Sequence, residues 1–214
     1  MWTLHWFEAK GDLGAWKSTL AAEIEATRAI VAGFVAPPRL DILIQRGAGV
    51  IEEIGIGGYS FDATSLTLTI DPDNPRFSCS LTDGTLRRQV AHEVHHCLRW
   101  AGPGYGRTLG EAMVSEGLAG QFAGRLFRSP PEPWERAVEP SLADLLLPDP
   151  ETLAAPHYDH GAWFFGRGGY PRWLGYTLGY RMAGAWLQSR PEVDAHTFVN
   201  VPAVEVLASW SGTR

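Results

Sequence analysis

The chain has little cysteine, little net charge and no long apolar run, and each shortage removes a class of protein. Cys79 and Cys97 are its only cysteines in 214 residues, so neither a disulfide scaffold nor a multi-thiolate metal cluster can hold the fold. Lys and Arg total 18 against 24 Asp and Glu, and the basic residues are scattered. Nucleic acid and anionic membrane surfaces are therefore disfavoured as partners. Nowhere do 18 apolar residues follow one another, and Met1-Trp2-Thr3-Leu4-His5-Trp6-Phe7-Glu8 has neither the basic start nor the apolar stretch of a secretory signal. Repeats and low-complexity tracts are absent as well. The expectation is a cytoplasmic, soluble protein. Hydrophobic residues make up 45% of the sequence, enough for one compact domain that hides roughly 70% of its unfolded surface. That domain would span 1–214, with a helix and small mixed sheet over about 1–80 and a helical part over about 81–214.

The periodicity predicts a long helix from about Asp12 to Val35, with Leu13, Trp16, Leu20 and Ile24 on one side and Pro37-Pro38 as its stop. Strand-like runs follow at Leu40 to Gln45, Val50 to Ile56 and Thr64 to Ile70, punctuated by Gly47, Gly49, Gly55, Gly57 and Gly58 as turns. A second helix begins near Asp83, which can cap it, and runs to Trp100. A third, from about Thr108 to Phe127, is small or apolar nearly all round and reads as buried. Short helices fit Leu142 to Leu147 and Glu151 to Ala155, and a Gly-rich stretch runs from His157 to Tyr170. Pro171 suits the first position of a last long helix, Arg172 to Gln188, and Val201 to Trp210 fits one more short helix. The fold class is α+β.

Of seven histidines, three fall within His92-Glu93-Val94-His95-His96. Two histidines four apart on a helix can reach one ion, and a Glu directly after the first stands beside that ion without ligating it. This composition yields about 0.015 chance matches to such a pattern. Stepping 100° per residue, Leu86, Val90, Val94, Cys97 and Ala101 form one stripe, and His92 and His96 lie roughly opposite it. His95 falls between the two, which suits a supporting role, and Cys97 reads as a small buried hydrophobe. A catalytic zinc takes three protein ligands and keeps one open position. Glu116, a lone carboxylate in the apolar third helix, is the candidate for the third. Its competing role is a buried ion pair with Arg125 or another arginine. Glu111 is the rival ligand, although its place suits a cap on the helix's first turn or support for a histidine.

With these residues in view, Ser115-Glu116-Gly117-Leu118-Ala119 resembles the signature that carries the third zinc ligand in gluzincin metallopeptidases. The closer resemblance is to the predicted zinc-dependent proteases grouped as domain of unknown function 2268. It rests on His92 to His96, on Glu111 to Ala119 and on Gly175 to Tyr180, in that order. Ser115 stands where the M1-type signature has Asn, so aminopeptidase specificity does not carry over.

The resemblance implies a gluzincin-like zincin fold, Zn²⁺ on His92, His96 and Glu116, and a peptide or protein substrate. Zinc would lower the pKa of its water to about 7, with Glu93 as general base. It also implies an oxyanion donor from a downstream element, for which Tyr176 and Tyr180 are the candidates and His157, His160 and Arg172 weaker ones. The strand Thr64 to Ile70 is expected to be the sheet edge that receives substrate backbone. The alternative is a catalytically silent, zinc-stabilised peptide-binding or regulatory module whose cleft is blocked near Trp163-Phe164-Phe165.

Overall fold

A computed structural model describes residues 1–211 of the chain. They divide into two compact units, Met1–Ala101 and Gly102–Arg214. The first is α+β, the second helical.

The first unit opens with β1 (Trp2–Phe7), α1 (Gly14–Ala32) and β2 (Leu40–Arg46), a parallel pair joined through a helix. Then come β3 (Ile56–Ser60), β4 (Ser65–Ile70), the single turn α2 (Phe77–Ser80) and α3 (Thr85–Trp100). The strands lie in the order β1-β2-β4-β3, and only the β3–β4 pair is antiparallel. Leu20, Ile24 and Val31 of α1, Ile42 and Ile44 of β2, Leu66, Leu68 and Ile70 of β4, and Leu86, Val90, Val94 and Cys97 of α3 form its buried core. The apolar stripe expected on α3 is thus present, ending before Ala101, which follows the helix and is exposed. Gly84, not Asp83, is the N-cap of α3, which has no side-chain capping bond; the Asp83 carboxylate accepts instead from the Thr85 amide two residues on, at 2.9 Å.

Three strand expectations need correction. β1 was not anticipated. The strand expected over Val50 to Ile56 is instead a turn closed by the Gly55 amide on the Ile51 carbonyl, and β3 starts where that strand should have ended. Gly57 and Gly58 lie inside β3 rather than in a turn. A Cβ at Gly58 would stand 2.4 Å from Cγ and Oε1 of Glu93, so the strand's approach to α3 demands glycine there. Finally, β4 has no solvated face, since Thr67 and Thr69 are buried, and it is not an edge, since β2 and β3 flank it. The edge on that side is β3.

In the second unit, α4 (Leu109–Phe127) is held at its start by a reciprocal capping box between Thr108 and Glu111. Capping is therefore the work of Glu111. A 3-10 turn at Pro133–Arg136 leads to α5 (Pro140–Leu145), α6 (Pro150–Leu153), α7 (His160–Phe165), α8 (Leu174–Gln188), α9 (Ala195–Asn200) and α10 (Ala203–Ser211). The last long helix starts three residues after Pro171, because Trp173 takes a left-handed φ of 68° and donates its amide to the Phe164 carbonyl. α4 and α8 touch through main chain at Gly117 and Gly179, the close packing that small residues permit. No helix among the described residues is long and apolar enough to cross a membrane.

Candidate active site

On α3, His92 and His96 sit one turn apart and bring their Nε2 atoms to 3.1 Å, with ring centroids 4.8 Å apart. Two imidazoles binding one tetrahedral zinc at the usual bond length of about 2.0–2.1 Å would hold these nitrogens about 3.3 Å apart. The pair is already set for an ion. Both rings are buried, as are Glu93 and His95. The polar side of the helix is therefore covered, not open as amphipathic periodicity implies. His95 packs edge-on to His96 at 6.4 Å.

Glu93 is held at both oxygens. Gln89, one turn earlier on α3, donates its amide to Oε1 at 3.1 Å. The Ser60 hydroxyl, at the end of β3, lies 3.0 Å from Oε2 and 2.8 Å from the Glu93 main-chain oxygen. β3 also presents a line of peptide groups. Phe61 donates to the Ser65 carbonyl at 3.0 Å, and by the antiparallel alternation the amides and carbonyls of Gly58 and Ser60 point away from β4.

In the second unit, Glu116 is buried in the middle of α4, and its Oε1 accepts a 2.7 Å hydrogen bond from the Tyr105 hydroxyl. Burial and the facing carboxylate raise the Tyr105 phenol well above its ordinary pKa, with Tyr176 and Tyr158 adding to the effect. The same carboxylate acts on its neighbours. Burial raises Tyr158 and Glu116 adds to that shift; burial lowers His160, and Glu116 opposes it. Tyr158 and His160 stand 3.3 Å apart, and His160 stacks on Phe164 at 4.3 Å. Tyr176 meets Phe164 edge-on at 5.0 Å. Tyr105, Tyr158 and His160 thus share one electrostatic neighbourhood with Glu116, and Tyr176 borders it through Tyr105.

Tyr180, four residues beyond Tyr176, is elsewhere. Its ring lies over Gly120, one turn along α4 from Glu116, and its hydroxyl over Gly124, about two turns and about 12 Å of helix rise away. Its phenol is pushed up to about 12 by burial, with Glu135 and Glu132 contributing. Arg172 stacks over its neighbour Trp173 at 3.9 Å. His157 is exposed, lining an open cavity of about 410 Å³ together with Asp149, Glu151, Tyr158, Asp159 and Trp163. Trp163 and Phe164 are buried, whereas Phe165 is half-exposed.

Gln89, Ser60 and Tyr105 were missed by sequence reasoning. Gln89 carried a usable signal, lying four residues before Glu93 on the same helix. Ser60 and Tyr105 meet their partners 33 and 11 residues away in sequence, through strand and loop geometry that no local pattern reports.

Cys97 lies beside this polar set, touched by Ser60 and by the charge of Glu93. Its thiol is pushed up to about 12, chiefly by burial, and lies 3.8 Å from the Ser65 carbonyl oxygen. A thiol so placed is a poor nucleophile. We expect an aromatic disulfide reagent to label one thiol per native chain, at exposed Cys79, and a second only after unfolding. Labelling at Cys97 in the native protein would contradict this.

His92 and His96 of the first unit and Glu116 of the second are all buried, and each is a residue type that could ligate a metal ion. Nitrogen and oxygen ligands without thiolate suit a catalytic zinc. Among known proteins, the family model described as "Predicted Zn-dependent protease (DUF2268)" matches residues 23–208. No curated protein and no solved structure matches the chain.

Proposed function

We propose, because this chain belongs to the family of predicted zinc-dependent proteases, that it hydrolyses peptide bonds using zinc held by His92, His96 and Glu116. The observation that carries this reading is the 3.1 Å approach of the two histidine Nε2 atoms beside a carboxylate fixed at both oxygens. A zinc ion bound there supplies Lewis acidity and brings water into the neutral range of deprotonation.

The chain's own residues do the rest. Glu93 takes the proton from the attacking water and returns it to the departing amine nitrogen, a relay that needs its carboxylate in a defined place. Ser60 and Gln89 provide that definition. Tyr176 is the oxyanion donor we favour over Tyr180, because it borders the neighbourhood of Glu116 through Tyr105 while Tyr180 lies over the far end of α4. The edge strand β3, not β4, takes the extended substrate, through the outward peptide groups of Gly58 and Ser60. The fold reading that goes with this chemistry is gluzincin-like, and it rests on the motifs.

Metal content and cleavage test the proposal together. Purified protein should carry one zinc per chain, lose it on His96→Ala or Glu116→Ala, and digest a peptide library in a way that a chelator stops and added zinc restores. Protein without zinc would sink the metal reading. Zinc-loaded protein that binds peptides and cleaves none would point to the silent binding module instead.

A further inference from the structure

The segment entering α4 is built to deliver one hydroxyl to one carboxylate oxygen. Tyr105 lies between Gly104 and Gly106, whose φ values are 84° and 104°, a region that side chains other than glycine rarely adopt. A Cβ at Gly106 would fall 2.2 Å from the Glu111 Cβ. Glu111 in turn fixes the following residues, since its Oε2 accepts from the Arg107 amide at 2.7 Å and the Thr108 amide at 3.0 Å. The capping box of α4 therefore also anchors the loop that carries Tyr105.

That anchoring sets the phenol 2.7 Å from Glu116 Oε1, the short length of a bond to a charged acceptor. A buried carboxylate that offers one oxygen to an ion must satisfy the other. Tyr105 bonds Oε1 and so sets the orientation of the carboxylate. We infer that Tyr105 is a positioning residue which orients Glu116 as a metal ligand, with Glu111 and Gly106 holding Tyr105 in place. The inference rests on the zinc reading above. It assigns a task to Glu111 beyond capping and separates Tyr105, whose proton is committed to Glu116, from Tyr176.

Tyr105→Phe in the full chain tests it. Zinc affinity, measured by competition with a chromophoric chelator, should fall 10- to 100-fold, the usual cost of losing a partner that orients a ligand. Melting temperature is read for each variant with and without zinc, so that any general loss of stability cancels and only the zinc-induced increment is compared. That increment should shrink. The cobalt-substituted visible spectrum should change as well, because the carboxylate loses the bond that orients it; a merely structural tyrosine would leave it alone. Gly106→Ala keeps the phenol but displaces its loop and should weaken zinc in the same direction. Wild-type protein that takes up no zinc would overturn the metal reading and this inference with it. Wild-type protein that binds zinc, alongside a Tyr105→Phe variant of equal affinity and identical cobalt spectrum, would overturn this inference alone.

Discussion

Glu93→Gln should bind zinc as the wild type does and lose 10²- to 10⁴-fold in kcat, the range that a positioned general base contributes. The substitution is close to isosteric, and the site is prepared for it in an instructive way. Gln89 donates to Oε1 and Ser60 lies at Oε2, so a glutamine oxygen can take the Ser60 hydroxyl while its amide faces the Gln89 amide, or the reverse. In the reverse orientation the glutamine oxygen accepts from Gln89 and the new amide donates to the Ser60 oxygen, whose hydroxyl still reaches the residue-93 carbonyl. The variant therefore loses a base and keeps its hydrogen bonds. The measurement is kcat on a cleaved peptide beside zinc content on the same sample. Hydrolysis surviving with full zinc would remove Glu93 from the mechanism; zinc lost together with activity would make it a ligand or a structural residue instead.

The second large effect lies in the helical unit and concerns stability. Gly117→Ala places a methyl 1.9 Å from the Gly179 carbonyl oxygen and 2.8 Å from the Tyr180 nitrogen. Both obstacles are main chain, and Gly179 is itself pressed against the Met113 carbonyl, where a Cβ would stand at 2.0 Å. No rotamer change can make room. α4 and α8 must separate along their contact, at a cost near the upper end of what overpacking brings, about 3 kcal/mol. For a chain of this size that lowers Tm on the order of 6–12 °C. Zinc affinity should fall too, since Gly117 directly follows Glu116. A Gly117→Ala protein that melts with the wild type would mean that the two helices do not meet as closely as described.

Much of this was readable beforehand, and what was not has a physical cause in each case. The helices bearing His92, His96 and Glu116 follow from periodicity, and the cap expected of Glu111 on the second of them is there. Tyr176 and Tyr180 looked equivalent because spacing places them on one face of α8. Tyr180 lies over Gly120 and Gly124 of α4 whereas Tyr176 meets Phe164 of α7, and spacing cannot show which neighbour a residue meets. β1 had a legible signal in the alternation of Trp2, Leu4 and Trp6 with Thr3 and His5. β3 had none. Its glycines read as turns by local propensity, and tertiary neighbours explain them: Gly49 main chain against Gly57 and the Glu93 side chain crossing over Gly58. On α3 the arithmetic separates the apolar stripe from the histidine face but does not show that His92, Glu93 and His96 are themselves buried, because it recognises apolar burial, not the burial of polar groups that bond one another.

The short hairpin between β3 and β4 sets more than a strand pairing. Gly58 and Ser60 both turn toward α3, while Tyr59 and Phe61 turn the other way, exposed and edge-on to each other at 5.1 Å. Strand faces alternate with a period of two, so gaining or losing one residue in the connection at 61–64 would exchange the two sets. A phenol ring would then stand where Glu93 now finds a bare α-carbon and a hydroxyl. The length of this connection is thus a condition of the proposed chemistry, although none of its residues touches a reacting atom, and insertions tolerated in other loops of the chain would silence the base if placed there.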